Sequence, residues 1–149
     1  MSKSLKIFLI IVVAAISTYL VFRPMNFGPP SPRISAGDII VPTAQGSYCW
    51  DGLINSRCVD MISPIGIIEH QELEPTIVQP ESRLLIHFKN EPRKDSLGAN
   101  LWKSDEQVEN IKLTGNVLTA PKEKGIYVYA IHAAWEKGTS SYVFVIEIR

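Results

Sequence analysis

The final stretch of this chain leaves its backbone little choice. Residues 125–135 read GIYVYAIHAAW and residues 141–149 read SYVFVIEIR, with Glu136-Lys137-Gly138-Thr139 between them. At the two-residue period of a strand, Tyr142, Phe144, Ile146 and Ile148 share one side, while Val143, Val145, Glu147 and Arg149 share the other. That alternation predicts a strand with one face on a core, paired with the run before it.

Shorter strand signals precede this pair from Ser35 onward. Ile39-Ile40-Val41 lies within 38–43, and Ile65, Ile67 and Ile68 lie within 64–69. The run RLLIHFK at 83–89 sets Leu84, Ile86 and Phe88 on one face. Residues 108–113 and 117–119 read as short strands around a turn at Gly115-Asn116. No segment here reads as a helix, and 92–110 reads as a wetted loop that Trp102 pins to the domain. Strands at this spacing predict an all-β, two-sheet sandwich over 36–149.

The N-terminus is of a different kind. Residues 7–22, IFLIIVVAAISTYLVF, carry no charge; Lys3 and Lys6 precede them, and Arg23 and Pro24 follow. With Leu5 counted and Lys6 snorkelling, a helix here is about 18 residues and roughly 27 Å long. That nearly matches a hydrocarbon layer of ~30 Å. The expectation is one transmembrane helix over 7–23. The rival is a cleaved signal peptide, for which Ala15-Ile16-Ser17 is the candidate site, although apolar residues 19–22 continue past it.

Lys3 and Lys6 place residues 1–6 in the cytoplasm as a short tail, against the weaker pull of Arg23 and Arg33. The domain is then extracytoplasmic, on a single-pass protein of the cell membrane. So short a tail cannot fold, and any inward signal passes through a second membrane protein. Between helix and domain, 24–35 is dense in proline and reads as an extended linker. Nine such residues reach roughly 28 Å.

Charge narrows the partners. The chain holds 15 basic and 15 acidic residues. Setting aside Lys3 and Lys6 leaves 13 basic against 15 acidic, a net of −2. Such a domain has no field to gather phosphates along a strand, so nucleic acid is not an expected partner. The expected partners are membrane lipid around the helix and a protein or envelope component outside.

Two resemblances bear on this reading. The segment APKEKGIYVYA at 120–130 resembles the entry to the penultimate strand of immunoglobulin-like domains. That likeness implies a tyrosine-corner position at Tyr127. It also sets Tyr129 where antibody domains carry a cysteine, so their inter-sheet disulfide is missing. The stretch Gly46-Ser47-Tyr48-Cys49-Trp50 with Cys58-Val59-Asp60 resembles uncharacterised membrane-anchored or secreted proteins of Gram-positive bacteria. In that group a C-terminal G-x-Y-x-Y strand and a tryptophan follow, the latter matched by Trp135. It implies a shared domain but brings no established activity.

Cys49 and Cys58 are the two cysteines, and an oxidising exterior favours their pairing. Closing a ring of ten residues stabilises by about 2.5–3 kcal/mol. A redox-active pair is the alternative, but such pairs usually sit as Cys-x-x-Cys at a helix start. Tyr48 and Trp50 flank the clamp and, with Trp102, are the candidate binding residues if exposed. The reading favoured for Trp50 itself is that it plugs the sandwich core beside the disulfide, as large aromatics often do.

His70, His87 and His132 fall in no ligand spacing, and no nucleophile motif occurs in the outer domain. Glu69, Glu72 and Glu74 read as a solvated connection. No cofactor is expected. The function expected is a non-enzymatic extracytoplasmic binding or accessory domain. Two alternatives stand beside it: a regulatory subunit that contacts partners through its anchor helix, and an envelope-acting enzyme of unfamiliar type.

Overall fold

The computed structural model describes residues 2–22, 28–52 and 55–149, with the side chains of the first helix described as far as Tyr19. Helix α1 spans Lys3–Phe22. Its large apolar side chains lie open, from Val12 at 37% to Ile10 at 67% exposure. None belongs to a buried cluster. Among the described residues no helix is long and apolar enough to cross a membrane. The span expected over 7–23 therefore does not follow from the structure. The apolar run itself continues in the sequence through Leu20, Val21 and Phe22.

The rest of the chain is mostly strand. In order come β1 (Pro32–Ala36), β2 (Ile39–Val41), β3 (Ala44–Asp51), β4 (Ser56–Val59), helix α2 (Pro64–His70), β5 (Thr76–Val78), β6 (Arg83–Phe88), β7 (Gly98–Trp102), β8 (Val108–Ile111), β9 (Val117–Thr119), β10 (Gly125–Trp135) and β11 (Gly138–Ile148). A four-stranded sheet runs β2-β1-β6-β9, and a seven-stranded sheet runs β4-β3-β11-β10-β7-β8. The seventh strand, β5, lies parallel to the C-terminal half of β11, pairing Ile146 with Thr76 and Ile148 with Val78. All other pairs are antiparallel.

The two sheets close on one core, as expected for a sandwich. Leu84, Ile86 and Phe88 of β6 meet Tyr142, Phe144, Ile146 and Ile148 of β11 and Tyr129, Ile131 and Trp135 of β10. Strand alternation selects each of these sets. The expected C-terminal pair is a hairpin in register from Gly125↔Ile148 to Trp135↔Gly138.

Four further expectations need correction. The linker over 24–35 is shorter than expected, because β1 takes residues from Pro32 onward and buries Ile34 completely opposite Ile86. Residues 24–27 lie outside the described residues. Pro30 is also held, since the Tyr142 hydroxyl donates to its carbonyl oxygen at 2.6 Å. Residues 64–69 form a helix rather than a strand. Ser63 caps it, its Oγ accepting from the Gly66 N–H at 3.3 Å, and Pro64 opens the first turn. A serine cap followed by proline is a helix start that the isoleucines obscured.

The expected wetted loop 92–110 contains β7, whose Leu101 pairs opposite Tyr129. Short strands do lie on either side of Gly115-Asn116, and a bridge between Thr114 and Val117 closes the turn. β8 stays in the large sheet and β9 crosses to the small one, pairing Leu118 with Leu84. Finally, β11 is buried on both faces: Val143 is 1% exposed and packs with Ala44, Ala130 and Ile67 of α2.

Candidate functional site

The β3–β4 hairpin carries the expected disulfide. Cys49 and Cys58 sit directly opposite each other, their Cα atoms 4.0 Å apart, with both side chains exposed. The bond fastens an edge strand, β4, that has few buried residues of its own.

A β-bulge decides where the neighbouring aromatics point. The register with β11 shifts between Ser140 and Tyr142, so Gly46 and Ser47 together face Ser141. The Ser141 hydroxyl donates to the Ser47 carbonyl at 3.0 Å, and Gln45 Nε2 donates to Ser140 Oγ at 2.7 Å and to the Ser141 carbonyl at 3.1 Å. A Cβ at Gly46 would collide with Ser141 Oγ. One extra residue reverses the side-chain phase. Ala44 therefore points to the outer face of the large sheet, while Tyr48 and Trp50 turn toward the inner core.

Trp50 is 8% exposed and stands edge-on to Trp135, ring centres 5.7 Å apart at 69°. Trp135 is edge-on to Phe88 at 5.1 Å and 76°. These are favourable aromatic geometries. Gly138 lets β3 approach β11 here: its φ is +145°, and a Cβ would collide with the Cys49 carbonyl. The Trp135 indole N–H donates to the Asn90 carbonyl at 2.8 Å. The Trp50 indole N–H is buried and has no partner among the described residues. An unpaired buried donor costs about 1–3 kcal/mol.

Above these two rings lies a cleft of about 830 Å³. Its walls are the 89–93 connection after β6, the Glu136-Lys137 turn, and Gly28, Pro30 and Ser31 leading into β1. Lys89, Arg93 and Lys137 line it, as do Glu91 and Glu136. Glu91 Oε1 is 3.7 Å from His87 Nδ1, both groups exposed.

The three candidate binding residues do not form one surface. Tyr48 is half-buried against the inner core. Trp102 packs on the opposite face with Ala44, Ala130, Val143 and Ile67. Its indole N–H is likewise buried and unpartnered among the described residues. A smaller cleft of about 330 Å³, edged by Met61, Ile62 and Ser63, adjoins it.

Of the two structural tyrosines, Tyr129 is internal and Tyr127 is half-buried. The Tyr127 hydroxyl donates to the Glu123 carbonyl at 2.9 Å. Tyr129 is 2% exposed and stacks on Phe144 at 5.3 Å and 20°. Burial pushes the Tyr129 phenol well above its ordinary range. Burial also raises that of Tyr142, against the opposing hydrogen bonds of Ser140 and Gln45.

His87 and His132 are exposed, and His70 ends α2. Glu69, Glu72 and Glu74 are exposed as well. Among the described residues no three His, Cys, Asp or Glu side chains are placed to hold a metal ion.

Sequence reasoning found Trp50 and Trp135 but missed the walls around them. Lys89, Asn90, Arg93 and Lys137 stand in connections with no periodicity, and only folding brings them together. No family model matches the chain, and neither a curated protein nor a solved structure matches it.

Proposed function

We propose that this chain is a non-enzymatic binding or accessory domain, held on the outer side of a membrane by α1 and contacting its partner through the cleft over Trp50 and Trp135. The cleft carries this reading, because it sets an aromatic base, Trp50 and Trp135, beneath walls that carry Lys89, Arg93, Lys137, Glu91 and Glu136. Sites of this kind are mostly apolar with a few placed polar groups. The tether rests on the uncharged run 7–22 and on the open apolar side chains of α1. The formed, exposed disulfide fits an oxidising compartment.

The finer fold assignment we favour is immunoglobulin-like. β1-β6-β9 facing β8-β7-β10-β11 follows the strand order of that family, with β2, β3 and β4 as an insertion. The Tyr127 bond to a carbonyl four residues upstream suits a tyrosine corner. The likeness to membrane-anchored or secreted proteins of Gram-positive bacteria agrees with this placement.

A photo-crosslinking residue at Glu136, on the cleft, tests the reading in intact cells against one at Glu123, which precedes β10 at the other end of the domain. Adducts from the first position alone are expected; adducts from neither, or equally from both, remove the cleft as the contact site. The rival reading is a regulatory subunit working through α1, and it draws on the same open helix. Replacing 7–22 with an unrelated apolar helix separates the two, since only the rival loses function.

A further inference from the structure

The geometry points to a cleft that faces the bilayer, and we propose that it takes the anionic headgroup of a phospholipid from the membrane holding α1. This rests on the tethered reading above and adds the occupant.

Chain length sets the orientation. Five residues, 23–27, separate the end of α1 from Gly28, so that gap spans at most roughly 21 Å. Gly28 and Pro30 are themselves part of the cleft wall, and the Tyr142 hydroxyl holds the Pro30 carbonyl against the domain. The tether thus pulls on the end of the sandwich that carries the cleft. The opposite end, where β10 begins, lies roughly 33 Å further along the strands.

Charge agrees with that orientation. From Gly28 onward the chain carries 12 basic and 15 acidic residues, a net of −3. The cleft reverses the balance, with Lys89, Arg93 and Lys137 against Glu91 and Glu136. Glu91 also has His87 beside it. Tryptophan and basic side chains are the residues that settle at a headgroup layer.

The test uses the full chain in nanodiscs of phosphatidylcholine with increasing phosphatidylglycerol, some lipids carrying a nitroxide on the headgroup. A Trp102→Phe background restricts emission to Trp50 and Trp135. Quenching should grow with the phosphatidylglycerol fraction. Lys89→Gln or Lys137→Gln should each raise the half-maximal fraction by about fivefold, the factor for one basic residue near an anionic surface.

Quenching that ignores lipid charge and both substitutions overturns the headgroup assignment. Chain that co-elutes with the nanodiscs but is not quenched overturns the orientation and leaves the tether standing. A protein-sized crosslink from Glu136 in that case gives the cleft to a protein. Chain that never enters nanodiscs overturns the tether and this inference together.

Discussion

The two faces of the seven-stranded sheet use the same strands for different packing problems. On the inner face, Tyr129, Ile131, Tyr142, Phe144, Ile146 and Ile148 interdigitate with a second sheet. Sheet-to-sheet packing leaves about 10 Å to fill, and large side chains fill it. On the outer face the same strands offer Ala130 and Val143, with Ala44 from β3, and a seven-residue helix closes over them. Small residues admit the helix backbone closely, and Ile67 alone of α2 is buried. The inner face is therefore locked by a whole second sheet, while the outer face is covered by one short helix with Leu73 and Trp102 beside it.

Substitutions can break or sharpen this contrast. Phe144→Ala removes a wholly buried ring from the inner face and should cost about 3–5 kcal/mol in urea unfolding. A loss no larger than that of an outer-face truncation would mean the two faces are equivalent. Next comes the staple: Cys49→Ser with Cys58→Ser should cost about 2.5–3 kcal/mol. Native-state hydrogen exchange should place the loosening in β3 and β4; a uniform loss of protection would show that the hairpin is integral to the core.

Ile67→Ala should cost less than Phe144→Ala, about 2 kcal/mol, because α2 can settle into the space. Protection at Val143 and Ala130 should fall while that at Ile131 and Phe144 holds. Smallest is Ser63→Ala, about 1 kcal/mol for a lost helix cap. Thermal unfolding indistinguishable from the parent would remove the cap from the account of why this segment is helical.

Several features were legible from residues alone because they are local. The β10–β11 hairpin follows from strict alternation, and the β6 face from Leu84, Ile86 and Phe88. The pairing of Cys49 with Cys58 follows from their being the two cysteines. α2 was hidden because Ile65, Ile67 and Ile68 outweigh, to the eye, the Ser63-Pro64 start signal. Short apolar runs suit strand and helix alike. β7 was hidden in a polar stretch, its strand character supplied by β10 beside it.

From the sequence come an uncharged helical N-terminal run, a sandwich with its longest hairpin last, and a ring closed by two cysteines. Each is a matter of periodicity or of residue type within a few positions. Tertiary structure alone decided that Trp50 turns inward while Trp102 turns outward, and that the 89–93 connection, the Glu136-Lys137 turn and Gly28 meet in one cleft. A single bulged residue reverses the phase of β3, and distant connections become neighbours only when the sheets close. Neither effect leaves a trace in the spacing of the residues it moves.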